Sequence, residues 1–154
     1  HEWYEHDVGK IYVLQFDNLL GQWLGYPSTT CVHQPTCGQS LVTEANGDVY
    51  ACDHFVYPEY KVGNLTQQPL TEIVFSSKQQ QFGLEKSQKL TALCRHCEFR
   101  KLCYGGCPKH RFVSLENEPN PHNYLCASYR YFFEQTAPYM QAMARQIRLH
   151  PSAA

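Results

Sequence analysis

No stretch of this sequence is apolar for long enough to cross a bilayer as a helix, and no secretory leader pattern is visible. Net charge is also lacking. Thirteen Lys and Arg stand against 14 Asp and Glu, a formal charge of -1. No global field therefore draws the chain to nucleic acid or to an anionic membrane. Charged residues are sparse at 18%, but hydrophobic residues reach 43%. That balance excludes disorder and provides for one domain with a moderate core. Internal repeats and low-complexity linkers are absent. Position 1 is His and not Met, so the chain reads as a piece of a longer protein or a processed product.

What the chain does have is cysteine, eight in 154 residues. Cys31 and Cys37 are separated by five residues, and Gly47 precedes Cys52 by five positions. A compact run follows, Cys94-x2-Cys97-x5-Cys103-x3-Cys107-Pro108, and then Cys126. Eight thiolates divide into two sets of four, and four thiolates complete one iron–sulfur cluster or one structural zinc site. Disulfides suit small secreted domains with little core, which this is not. Two zinc sites are the plain alternative, and Cys94-Arg95-His96-Cys97 would open a zinc knuckle. Against zinc, none of the eight His is needed, and Gly105-Gly106 lies between two candidate ligands. Glycine lets backbone N–H groups approach cluster sulfur. These local features favour clusters, with a zinc-stabilised module binding protein or nucleic acid as the rival. A C-x3-C-P ending also points to a last cysteine that ligates the other cluster.

The expected fold class is α+β. Residues 2–8 read as a helix tail and 11–16 as a strand buried on both faces. Asp17 is placed to cap a short helix carrying Leu19, Leu20, Trp23 and Leu24. Asn46-Gly47 predicts a type I′ hairpin between 41–45 and 48–52, with Ala45 facing Asp48 and Leu41 facing Cys52. That register brings Cys52 toward Cys37 and Cys31. Short helices are expected over 69–75 and 77–90, and no regular element over 94–110. A long helix over 124–149 should be kinked or split by Pro138.

The pattern Cys31-x5-Cys37-x9-Gly47-x4-Cys52, then Cys94-x2-Cys97-x5-Cys103-x3-Cys107, then Cys126 resembles the seven-cysteine SPASM motif, with Cys37 as an added ligand. The stretches Gly47–Pro58 and Val62-Gly63-Asn64-Leu65 further resemble the anaerobic sulfatase-maturating enzymes of the radical S-adenosylmethionine family. The likeness runs from Asp7-Val8-Gly9-Lys10 to the Cys126 helix. It implies a small SPASM domain over 26–150, after the last elements of a partial (β/α) barrel in 1–25. It implies a first [4Fe–4S] cluster on Cys31, Cys37, Cys52 and Cys107, and a second on Cys94, Cys97, Cys103 and Cys126. S-adenosylmethionine and a third cluster would belong to the barrel, whose Cx3CxxC motif this chain does not contain. The implied activity is oxidation of a sulfatase Cys or Ser to formylglycine, in the cytoplasm, with the 154-residue chain inactive alone. Implied partners are the sulfatase polypeptide and a flavodoxin or ferredoxin. The resemblance makes Asp53 the base, although by itself it reads as an ordinary loop carboxylate. His54 reads as a polar loop residue. Arg95, Arg100, Lys101, Lys109 and Arg111 read as counter-charge to the thiolates and not as a nucleic-acid patch.

Overall fold

In the computed structural model, which describes residues 1–38 and 40–150, Phe16, Leu19, Leu20 and Trp23 fall at helical spacing on one face of α1, Leu14–Leu24. That face meets α6, Cys126–Leu149, which buries Phe133, Met140, Met143 and Ala144. Phe99 and Leu102 close the same core. Burying side chains such as Leu19 and Phe133 stabilises by about 1.5–3 kcal/mol each. The expected strand over 11–16 is absent, because Phe16 belongs to this helical stripe. Helix α1 starts at Leu14, and Asp17 reaches back to accept the Val13 N–H at 3.0 Å. Upstream, Trp3–Asp7 form a single wide helical turn.

Three antiparallel strands form the main sheet in the order β1 (Val42–Thr43), β2 (Asp48–Tyr50), β3 (Lys61–Asn64). The hairpin is where Asn-Gly placed it, but its register differs by one residue. Val42 opposes Tyr50 and Thr43 opposes Val49, and the Glu44 N–H donates to the Asp48 carbonyl at 2.9 Å. Gly47 alone takes a positive φ, of 84°, so the turn is not type I′. Asn46 instead accepts the Asp48 N–H on its side-chain oxygen at 3.0 Å, and Leu65, just after β3, donates its N–H to the Gly47 carbonyl at 2.8 Å. A one-residue shift exchanges the two faces of a strand. The observed register puts Val49 and Ala51 inward, against Val62 and Ile73.

Helices α2 (Leu70–Val74) and α3 (Ser77–Gln88) follow as expected. The segment read as irregular holds two short helices, α4 (Ala92–Arg95) and α5 (Arg100–Cys103), and a 3-10 turn at Pro108–His110. A second small sheet pairs β4 (Arg111–Val113) with β5 (His122–Asn123). Helix α6 passes through Pro138 without splitting. Buried Phe133 before the proline and Met140 and Met143 after it dock on one core. No described helix is long and apolar enough to cross a membrane.

Candidate metal centres

Helix α3 organises the first group of cysteines with a buried stripe of unusual composition: Gln79, Gly83 and Lys86, at i, i+4 and i+7. The Gln79 amide donates to the carbonyls of Gly38 (2.8 Å) and Ala51 (3.1 Å), the neighbours of Cys37 and Cys52. The carbonyl of Gly83 accepts the Cys37 N–H at 3.1 Å. A Cβ at position 83 would stand 2.7 Å from the Cys37 carbonyl oxygen, so this approach requires glycine. The Lys86 ammonium donates to the carbonyls of Cys31 and Val32. One helix face therefore gathers three cysteine-bearing segments, where the sequence had suggested the hairpin alone.

Cys107 joins them from across the molecule. Between Cys103 and Cys107 the backbone takes three consecutive left-handed residues, Tyr104 (φ 47°), Gly105 (72°) and Gly106 (63°). The chain reverses there, so the two cysteines face different neighbours. Cys37 lies within electrostatic reach of Cys107 and Cys31, and Cys52 within reach of Cys107. Cys103 is instead coupled to Cys94, Cys126 and Cys97. Those four cysteines line one cavity of about 530 Å³. Thr91 caps α4 by accepting the Cys94 N–H at 3.3 Å, which fixes that end of the cavity.

All eight thiols are free, with no disulfide among them. Burial pushes the Cys52 thiol up to about 12 and Cys103 up to about 11, and it also raises Cys37 and Cys126. Bare thiols here resist ionisation, and a bound metal cation is what would make them thiolates. A donor set of soft sulfur alone suits iron–sulfur clusters or zinc. Cys94, Cys97, Cys103 and Cys126 line one cleft together with Gly105, whose backbone can approach a cluster sulfide. The residues present thus fit a cluster.

Asp53 is exposed beside Cys52, and its Oδ1 accepts a hydrogen bond from the Cys52 thiol at 3.2 Å. Donor atoms of Cys52, Asp53 and His54 lie within 4.8 Å of one another. His54 is an exposed loop residue whose Nδ1 is also 3.7 Å from Cys107 Sγ. His122, which sequence reasoning passed over, holds the matching place in the second group. It is buried, with Nδ1 3.7 Å from Cys94 Sγ and 3.0 Å from Thr91 Oγ1.

The expected basic patch divides. Arg95, Arg100 and Lys101 are exposed, and Lys109 sits over the Tyr57 ring, 4.3 Å from its centroid. Only Arg111 turns inward. Its guanidinium donates to the carbonyls of Lys86, Tyr104, Gly105 and Gly106. It lies in electrostatic reach of cysteines from both groups.

Residues 31–98 match the SPASM family model, an iron–sulfur cluster-binding domain. The chain is 44% identical over 147 residues to the serine-type anaerobic sulfatase-maturating enzyme of Bacteroides thetaiotaomicron, covering 95% of this chain and 35% of that protein. It is 33% identical over 148 residues to the cysteine-type anaerobic sulfatase-maturating enzyme of Clostridium perfringens, covering 95% of this chain and 40% of that one. Among solved structures, native anSMEcpe with bound AdoMet and the Cp18Cys peptide superposes with a TM-score of 0.77 at 34% identity, covering 94% of this chain and 40% of that one. The chain thus spans between a third and two fifths of the length of these relatives.

Proposed function

From the premise that this chain belongs to the SPASM domains of anaerobic sulfatase-maturating enzymes, we propose that it carries two auxiliary [4Fe–4S] clusters and completes a site that oxidises a sulfatase Cys or Ser to formylglycine. The observation that supports the reading is eight free thiols, four of them (Cys94, Cys97, Cys103 and Cys126) around one cavity. Cys31, Cys37, Cys52 and Cys107 are the assigned ligands of the first cluster, and Cys94, Cys97, Cys103 and Cys126 those of the second. Four sulfur ligands per cluster leave no iron open to substrate, which favours electron transfer over Lewis-acid chemistry.

Formylglycine formation removes two electrons from the substrate side-chain carbon. One leaves with a hydrogen atom, drawn off by chemistry we assign to S-adenosylmethionine and a third cluster in a preceding barrel, of which residues 1–25 would be the last elements. When bound, the auxiliary clusters supply an acceptor for the second electron. Asp53 is placed to take the proton that must leave with it, since it is exposed and adjoins Cys52. His54 lies beside both Cys52 and Cys107. Partners in this reading are the sulfatase polypeptide and a flavodoxin- or ferredoxin-type carrier, in the cytoplasm, where thiols stay reduced.

The test is anaerobic incubation of the full-length protein with S-adenosylmethionine, reductant and a sulfatase peptide bearing Cys or Ser. The expected result is a peptide aldehyde trapped by a hydrazide, accompanied by 5′-deoxyadenosine. The 154-residue chain alone, with no Cx3CxxC motif, should give neither. Cleavage of S-adenosylmethionine by the full-length protein with no aldehyde from either peptide would count against the reading.

A further inference from the structure

Lys86 is 1% exposed, although it is the most water-seeking kind of side chain. Its ammonium donates to two neutral carbonyls, those of Cys31 (2.5 Å) and Val32 (3.0 Å). An ammonium has three donors, and the third has no protein acceptor among the described residues. No carboxylate pairs with it there either. The ion pairs join Glu5 to His1 and His6, Asp48 to Lys61, Glu85 to Lys89 and Glu134 to Arg130. Two carbonyls alone do not compensate an ammonium for the loss of water, whereas an anion beside it would. The groups in reach that can become anionic are Cys37, Cys31 and Cys107.

Among the described residues the second group of cysteines has no such buried lysine of its own. Arg111 reaches Cys94 and Cys103, but it also reaches Cys37 and Cys107, so both groups share it. The other arginines at the second group's cavity are Arg100 and Arg130, both exposed and open to screening. Among the described residues the charge distribution is therefore asymmetric, with a dedicated, buried lysine on the first group and exposed arginines on the second.

We propose that Lys86 is a positioning residue and the dedicated counter-cation of a cluster held by Cys31, Cys37, Cys52 and Cys107. It keeps that cluster's reduction potential above that of the cluster held by Cys94, Cys97, Cys103 and Cys126. The inference rests on the cluster reading above. Reduction adds one negative charge to a cluster, and a desolvated positive charge beside it stabilises the reduced form more than the oxidised one. The cluster adjoining Asp53 thereby becomes the preferred electron acceptor.

The test is a redox titration of the full-length, cluster-loaded protein followed by electron paramagnetic resonance, with the two signals assigned through Cys52→Ala and Cys126→Ala. In the wild type the first cluster should have the higher potential. Lys86→Met should make the first cluster about tenfold harder to reduce, about 59 mV for a one-electron couple. The second cluster should move far less, and Lys86→Arg should stay near the wild type. Equal shifts of both clusters, no shift, or the reverse order in the wild type would overturn the proposal. If Lys86→Met fails to load the first cluster, Lys86→Arg decides. Loading at the wild-type potential supports the charge role, and failure to load sinks it. Iron and sulfide content of the wild type separates the two readings. Absent clusters sink both, whereas loaded clusters with unmoved potentials sink only the role of Lys86.

Discussion

Asp53→Asn in the full-length protein is expected to lower the formylglycine yield by about 10²-fold, the loss typical of a positioned base. S-adenosylmethionine cleavage and cluster content should stay in place. As a free thiol, Cys52 donates to Asp53 Oδ1, and that bond first, helped by His54, holds the Asp53 carboxyl below the usual carboxylate range. A cysteine that ligates iron is a thiolate with no proton to give. The same contact then sets the carboxylate against a like charge, which raises its proton affinity. Metal loading thus moves Asp53 in the direction a base requires. Asparagine keeps the shape and cannot take a proton. Mass spectrometry of the peptide, with chromatography of 5′-deoxyadenosine, reads both outcomes. A near-normal aldehyde yield with clusters intact would reduce Asp53 to a loop residue.

Cys107→Ala should remove the same cluster as Cys52→Ala, whereas Cys126→Ala should remove the one that Cys94→Ala removes. The reason is the turn between Cys103 and Cys107. Neither glycine in it can be replaced without displacing a neighbour. A Cβ at Gly105 would stand 2.5 Å from Leu90, and one at Gly106 would stand 2.4 Å from the Asn123 amide. The reversal is therefore built into the packing, and it sends Cys107 toward Cys37 and Cys52 while Cys103 faces Cys94 and Cys126. Mössbauer and electron paramagnetic resonance spectra of the four single mutants check the pairing. If Cys107→Ala and Cys94→Ala disturb one cluster identically and spare the other, the assignment is wrong.

Spacing carried much of this into the sequence. Asn46-Gly47 located the hairpin, and the helical pattern over 124–149 located the last helix, because both signals are local. Phe16 shows where local reading fails. Its neighbours Ile11 to Leu14 are apolar in succession, which suits a buried strand, and only packing against α6 places Phe16 in phase with Leu19, Leu20 and Trp23. The hairpin register was set by β3, which lies outside the hairpin. The strands β4 and β5 are three and two residues long, too short to show alternation. Helix α3 looks solvated from its sequence, yet its inward stripe is Gln79, Gly83 and Lys86. Those residues are buried because the chain around Cys31, Cys37 and Ala51 needs donors, an acceptor and room. No periodicity of apolar residues reports that kind of burial. His122 was hidden for the same reason, since its partners Thr91 and Cys94 are about thirty residues away.

The most direct measurement is the iron, zinc and acid-labile sulfide content of the anaerobically reconstituted 154-residue chain. Two cubane clusters predict about eight iron atoms with matching sulfide, a brown absorbance and no stoichiometric zinc. Stoichiometric zinc with no labile sulfide under those conditions would contradict the account.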